Sequence, residues 1–190
     1  LRQIAWETGW IDRVRKGKPI AVCGDGLALH QFLHVEDAAP AFVFPLGRAH
    51  TVGQTYNMTK RGFTTWVDYH KAAMKVLGRE EELVGVPLQS LVSAKVPAVE
   101  ICRDIFAHST YYSPDALMRD VPEFSPKISL EEGLARVIES LDRAGRVPDS
   151  DTLATAEGAY LPGFLPPPAE PEEEETDEAP IQAEDVIGDV

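Results

Sequence analysis

Gly24-Asp25-Gly26 is a two-glycine turn of the kind that brings backbone close to a ligand. A dinucleotide site needs a glycine-rich turn between a strand and a helix, so that backbone amides can approach the pyrophosphate. No G-x-G-x-x-G occurs in the sequence and the residues after Gly26 read as a strand, so the turn suits the rim of a pocket rather than a phosphate loop. Tyr56 and Lys60 have the Tyr-x-x-x-Lys spacing that, on a helix, sets a phenol and an ammonium on one face for proton transfer. Here they fall on an expected strand and the loop after it, where that spacing does not align side chains. His30 and His34 stand four apart beside Glu36 and Asp37, residue types that bind metal. On extended backbone the two rings would be roughly 13 Å apart, too far to share an ion. Polar residues facing a ligand cleft are the better reading, and no metal is expected. Cys23 and Cys102 lack Cys-x-x-Cys spacing and are expected reduced and partly buried. No Gly-x-Ser-x-Gly elbow exists and no serine or cysteine has a local base, so nucleophilic catalysis is unsupported and no catalytic residue is assigned.

The elements that must position these residues alternate in type. Ile4, Trp10, Ile11 and Val14 recur at helical spacing, with Arg13, Arg15 and Lys16 where cations suit the dipole, and Gly17 stops the helix. Residues 19–23 read as a strand, and 31–35 as a second strand after the turn. A helix is expected from Glu36 or Asp37 towards Leu46, with Pro40 tolerated only in its first turn. Residues 53–58 read as a strand. Thr64 or Thr65 caps a helix through Leu77, closed by Gly78. Residues 83–87 are a further strand, and helical spacing resumes over 88–94 and 99–105. Ser129 and Glu132 form a capping box for a helix whose apolar face is Leu130, Leu134, Val137, Ile138 and Leu141, ended by Gly145. The result is a mixed α and β (α/β) fold whose strands are too short and scattered for a complete doubly wound sheet.

One hundred and ninety residues, 44% of them hydrophobic, provide one domain with a core plus an appendage. No apolar run reaches the roughly 18 residues of a membrane helix, and the first residues are not a secretory signal. A soluble, cytoplasmic protein with no membrane partner is expected. The net charge of -13 hides a split: residues 1–150 hold 18 Lys+Arg against 19 Asp+Glu, whereas 151–190 hold 12 Asp+Glu and no Lys or Arg. With no basic stripe in the body, nucleic acid is not an expected partner. From about residue 150, prolines flank the run Glu172–Glu175. Such a composition cannot bury enough apolar surface to offset its ordering entropy, so the division is 1–148 as folded body and 149–190 as a disordered acidic, Pro-rich tail.

Taken in order, Arg13 through Ile20, Gly24-Asp25-Gly26, Gln31 through Ala39 and Gly53-Gln54-Thr55-Tyr56-Asn57 resemble the C-terminal half of extended short-chain dehydrogenases, the NAD-dependent epimerase/dehydratase family. A looser match runs through Tyr112 to Leu117 and the Ser129 helix, to about residue 148. The resemblance implies a small substrate-binding half whose incomplete Rossmann domain lacks the cofactor fingerprint and the catalytic Tyr-x-x-x-Lys helix. It further implies that NAD or NADP serves the full-length family while this chain alone binds neither, and that the substrate is a sugar nucleotide or related small molecule. The implied substrate-binding residues are Gly24, Asp25, Gly26, His30, Gln31, Phe32 and His108. Nucleotide-sugar members carry Arg-Asp-Phe where this chain has His30-Gln31-Phe32. His108 is the nearest basic residue to the place of their second phosphate arginine, so a neutral or differently charged ligand is implied. Two alternatives stand beside this reading: a non-catalytic small-molecule module, and a scaffold whose acidic tail recruits a protein. A homodimer is a further assembly to consider.

Overall fold

A computed structural model describes residues 8–80, 82–94 and 99–151. The expected helical start near Ile4 and the acidic stretch from 152 onward lie outside them. The first helix, α1, spans Gly9–Arg15 and leads through Gly17 (φ 66°) into β1, Ile20–Cys23. β1 pairs in parallel with β4, Leu83–Val86, in the register Ile20 to Leu83 and Cys23 to Val86. Side chains of β1 alternate between the two faces, as period two requires. Ile20 joins Trp10, Ile11 and Val14 of α1, Ala73 and Met74 of α3 (Trp66–Val76), and Leu134 and Ile138 of α7 (Leu130–Arg143). Ala21 joins Val86, Leu91 of α4 (Leu88–Ser93), and Val99 and Cys102 of the helix that opens as α5, Val99–Ile101, and continues as a π-helical turn, Cys102–Phe106. Helices thus cover both faces of the parallel pair, as that pairing demands.

The second strand differs from expectation. β2 is Leu29–His30 and pairs antiparallel with β3, Thr64–Thr65, whereas 31–35 carries no ladder. The reason is Gln31: its amide donates to the Lys60 and Tyr112 carbonyls (2.8 and 3.1 Å) and accepts from the Tyr112 N–H (2.7 Å), pinning two loops in place of a neighbouring strand. Residues 53–58 also form no strand, because their alternation meets no partner among the described residues. Tyr56 instead donates to Asp120 Oδ2 (2.9 Å), beside a small cluster of Leu117, Val121 and Phe124 built on α6, Asp115–Asp120.

The helix α2 spans Val35–Val43 and holds Pro40 in its interior rather than its first turn. A tertiary clamp offsets the lost backbone bond: Asp37 Oδ2 accepts from the Lys127 and Ile128 N–H groups (3.0 and 2.8 Å), tying α2 to the loop before α7. Thr65 and Asp68 complete a reciprocal capping box on α3. Ser129 caps α7 by accepting from the Glu132 N–H (3.1 Å), but the Glu132 carboxylate takes Arg136 (2.6 Å) instead of closing the box. At the expected start of the tail, Ser150 N–H donates to Asp12 (2.8 Å), and Asp149 and Asp151 pair with Lys16 and Lys18.

Candidate functional site

β1 and β4 run parallel, so their carboxyl ends, Cys23 and Val86, open on the same edge. This is where open α/β sheets place ligands. There the chain turns through Gly24 (φ 62°), Asp25 and Gly26 (φ 70°), conformations that glycine adopts without strain. Gly24 N–H donates to the Val86 carbonyl (2.7 Å), and Asp25 Oδ1 accepts from Leu27 N–H (2.9 Å), closing a local side-chain turn. Two glycines set how close the turn lies to the body. A Cβ on Gly85 would meet the Gly24 oxygen at 2.6 Å, and one on Gly26 would meet Val67 Cγ2 at 2.8 Å. Gly26 also accepts from the Val67 N–H (3.1 Å). The turn borders a cleft of about 320 Å³ walled by Cys23, Leu27, Leu88, Ala107 and Ser109, within the range of small-ligand sites. Gly85 was not among the expected site residues, although a glycine inside a strand signals close backbone approach.

His30 lies inward from this cleft, 8% exposed. Its ring packs on Trp66 (4.4 Å between centroids) and edge-on to Phe106 (5.7 Å), with Nε2 3.4 Å from the Phe106 carbonyl, which also accepts from Trp66 Nε1 (3.1 Å). Burial holds its pKa below the usual imidazole value, and the Phe106 carbonyl only partly opposes this. Phe32 stacks on Tyr69 (4.6 Å, 25°) and meets Trp66 edge-on, so His30 and Phe32 flank one aromatic box. His108 is exposed, with Nε2 2.9 Å from the Arg103 carbonyl. Its segment runs beside β2, where Thr110 N–H donates to the Leu29 carbonyl (2.9 Å) and Ser109 Oγ accepts from Leu29 N–H (3.1 Å). The expected residues therefore fall into a turn that borders the cleft, an amide clamp (Gln31), an aromatic wall (His30, Phe32) and one exposed imidazole. Trp66 and Phe106, which complete the wall, were not among those expected. Their aromatic types alone did not separate them from ordinary core.

A second cleft of about 170 Å³ lies between Phe32, His34, Lys60, Tyr69 and the first turns of α7. Lys60 Nζ donates there to the Ile128 carbonyl (3.0 Å), while the Tyr56 hydroxyl is engaged by Asp120, so the Tyr-x-x-x-Lys spacing brings no pair together. His34 caps α2, its Nδ1 accepting from Glu36 N–H (3.2 Å). Among the described residues no group of three or more His, Cys, Asp or Glu gathers to hold a metal. None of the described helices is long and apolar enough to cross a membrane. A nicotinamide dinucleotide does not fit the Gly24–Gly26 turn, because the turn enters β2 rather than a helix N-terminus and Gly26 is packed against Val67.

No curated protein sequence matches the chain. Among solved structures it is similar to UDP-glucose 4-epimerase from Thermotoga maritima with UDP-glucose, at 20% identity and a TM-score of 0.55, over 71% of this chain and 38% of that one. It is also similar to UDP-glucuronic acid 4-epimerase from Bacillus cereus in complex with UDP-glucuronic acid and NAD (16%, TM-score 0.55, 72% and 39%). A third is dTDP-glucose 4,6-dehydratase from Bacillus anthracis in complex with NAD (20%, TM-score 0.51, 70% and 37%). The chain spans about two fifths of the length of these structures. Residues 7–59, which include α1, β1, the glycine turn, β2 and α2, match the model of the NAD dependent epimerase/dehydratase family.

Proposed function

We propose that the chain is the substrate-binding half of an epimerase/dehydratase-like oxidoreductase or isomerase acting on a sugar nucleotide or related small molecule. On this reading the nicotinamide cofactor and the catalytic Tyr-x-x-x-Lys pair come from a cofactor half that these residues do not contain. The observation that carries it is the cleft at the carboxyl ends of β1 and β4, one wall of which, the end of β1 and the glycine turn, lies in the segment that matches the family model. Leu27 and Leu88 offer apolar faces to a flat ring such as a nucleobase, and Ser109 and Asp25 offer polar contacts beside it. His30, held neutral by burial, supports the wall rather than supplying charge to a phosphate. His108, exposed between the lining residues Ala107 and Ser109, is the imidazole this reading assigns to an anionic group of the ligand.

Calorimetry of the full chain with UDP tests this. UDP is expected to bind, and Leu27→Glu, a change at a side chain 56% exposed on the cleft, to weaken it at least tenfold, about 1.4 kcal/mol. No binding at millimolar UDP, or equal affinity for the variant, overturns the reading. The separate engagement of Tyr56 and Lys60 favours a second reading, a non-catalytic binding module. It is distinguished by adding a cofactor half from a relative: turnover of a UDP-sugar supports the first reading, and binding without turnover the second. The proposed partner-recruiting role of the acidic tail concerns residues outside those described.

A further inference from the structure

We propose that Cys23 and Cys102 are a peroxide-responsive dithiol that closes to an intrachain disulfide at the rim of the cleft, joining the end of β1 to the π-helical turn. They are the two cysteines of the chain, both are free, and the fold sets them on one apolar cluster although they lie far apart in sequence. Both pack in the cluster of Ala21, Val86 and Leu91. Their environments differ in the way a reactive pair requires. Cys23 is half-buried and lines the cleft, so an oxidant can reach it, whereas Cys102 is 1% exposed.

The neighbouring Cys102 holds the Cys23 thiol below its ordinary pKa against the opposing effects of burial and the Asp25 carboxylate. Burial beside Cys23 pushes the Cys102 thiol up, and Cys23, the sulfur that lines the cleft, is the attacking one. Cys102 opens the π-helical turn, a backbone form common at functional sites, and closure must bring the two sulfurs to about 2.05 Å.

The chemistry balances with a hydroperoxide as oxidant. The Cys23 thiolate attacks one peroxide oxygen, the O–O bond breaks, and hydrogen peroxide leaves as hydroxide, which takes up the proton Cys23 released and becomes water. Cys23 is then a sulfenic acid. With the thiolate charge gone, Cys102 no longer faces an anion. Its sulfur attacks Cys23, the S–O bond breaks, and the departing hydroxide takes the Cys102 proton as a second water. Two thiols have lost two electrons and the peroxide has gained them.

The test uses the full chain, reduced, desalted and treated with a few equivalents of hydrogen peroxide. Free thiols counted after denaturation should fall from two to zero per chain. The intact mass should drop by two hydrogens, the chain should remain monomeric on a non-reducing gel, and dithiothreitol should restore both thiols. Cys102→Ser should stop at a Cys23 sulfenic acid captured by dimedone. Cys23→Ser, at the half-buried position, should lose its remaining Cys102 thiol at least tenfold more slowly than the wild type loses its pair. Persistence of both thiols, a disulfide between chains, or equal loss of Cys102 in Cys23→Ser overturns the proposal. If Cys102→Ser fails to fold, the wild type and Cys23→Ser carry the test alone. None of these readings depends on what occupies the cleft.

Discussion

At Gly85 a methyl group would sit 2.6 Å from the Gly24 oxygen, and because that atom is backbone, no side-chain rotation relieves the contact. Gly85→Ala is expected to cost about 1–3 kcal/mol and to displace the turn, so urea denaturation and UDP titration should both register it. A surface glycine such as Gly53, with open space around it but φ at 75°, should show only the strain cost and leave UDP binding unchanged when replaced by alanine. The two histidines separate by role. His34→Ala removes the cap of α2 and should cost about 1 kcal/mol, read from the denaturation midpoint. His30 contributes a pH dependence instead. Its folded pKa lies below the unfolded value, so the unfolded chain takes up the proton first. The stability it supports is full above about pH 6.5 and declines as pH falls below it. Replacing His30 with Gln should flatten that part of the stability profile, and an unchanged slope between about pH 6.5 and 5 would contradict the buried neutral assignment.

At the scale of elements, α1 is held at its carboxyl end by the residues that follow α7. Burial alone would raise the Asp12 carboxyl, but the Lys16 ammonium and Ser150 outweigh it and bring its pKa down to about 2. A carboxylate depressed in the folded state supports stability above its unfolded pKa and loses that support as pH falls through the folded value. The α1 junction should therefore weaken between about pH 5 and pH 2. A chain ending at Pro148 loses the Ser150 amide and the Asp149 and Asp151 partners of Lys16 and Lys18, which one ending at Asp151 keeps. These pairs are half-exposed, so the expected difference is about 1 kcal/mol. Thermal unfolding of the two truncations should show it at pH 7 and not at pH 2. Equal midpoints at pH 7 would mean the junction contributes nothing.

For the molecule as a whole, the parallel pair β1–β4 has helices on both faces and its cleft at one edge, while α2 and the turn after it leave large apolar side chains uncovered. Leu46, Val52 and Val35 are 77%, 76% and 72% exposed. Under the proposed function the cofactor half would cover these side chains. The same reading predicts that the chain alone has no micromolar affinity for NAD or NADP by calorimetry. Such an affinity, about 8 kcal/mol, would require a dinucleotide site that the Gly24–Gly26 turn does not provide.

What the sequence determined by itself was local. The capping threonine and serine at 65 and 129, the stops at Gly17, Gly78 and Gly145, and the tight turn at 24–26 all rest on residues within a few positions of one another. Side chain and backbone satisfy each other there whatever surrounds them. The tertiary structure decided everything that depends on a distant partner. Alternation marked 53–58 as strand-like, but a strand exists only where another strand offers its hydrogen bonds, and the described fold offers none. The family resemblance implied His30 and Phe32 as substrate-binding residues, but the arrival of Trp66, Tyr69 and Phe106 from other elements set both in an aromatic wall and buried the imidazole. Cys23 and Cys102, without motif spacing in the chain, met because β1 and the π-helical turn share one apolar cluster. Sequence spacing fixes which groups can meet along one element, and packing alone brings groups on different elements into contact.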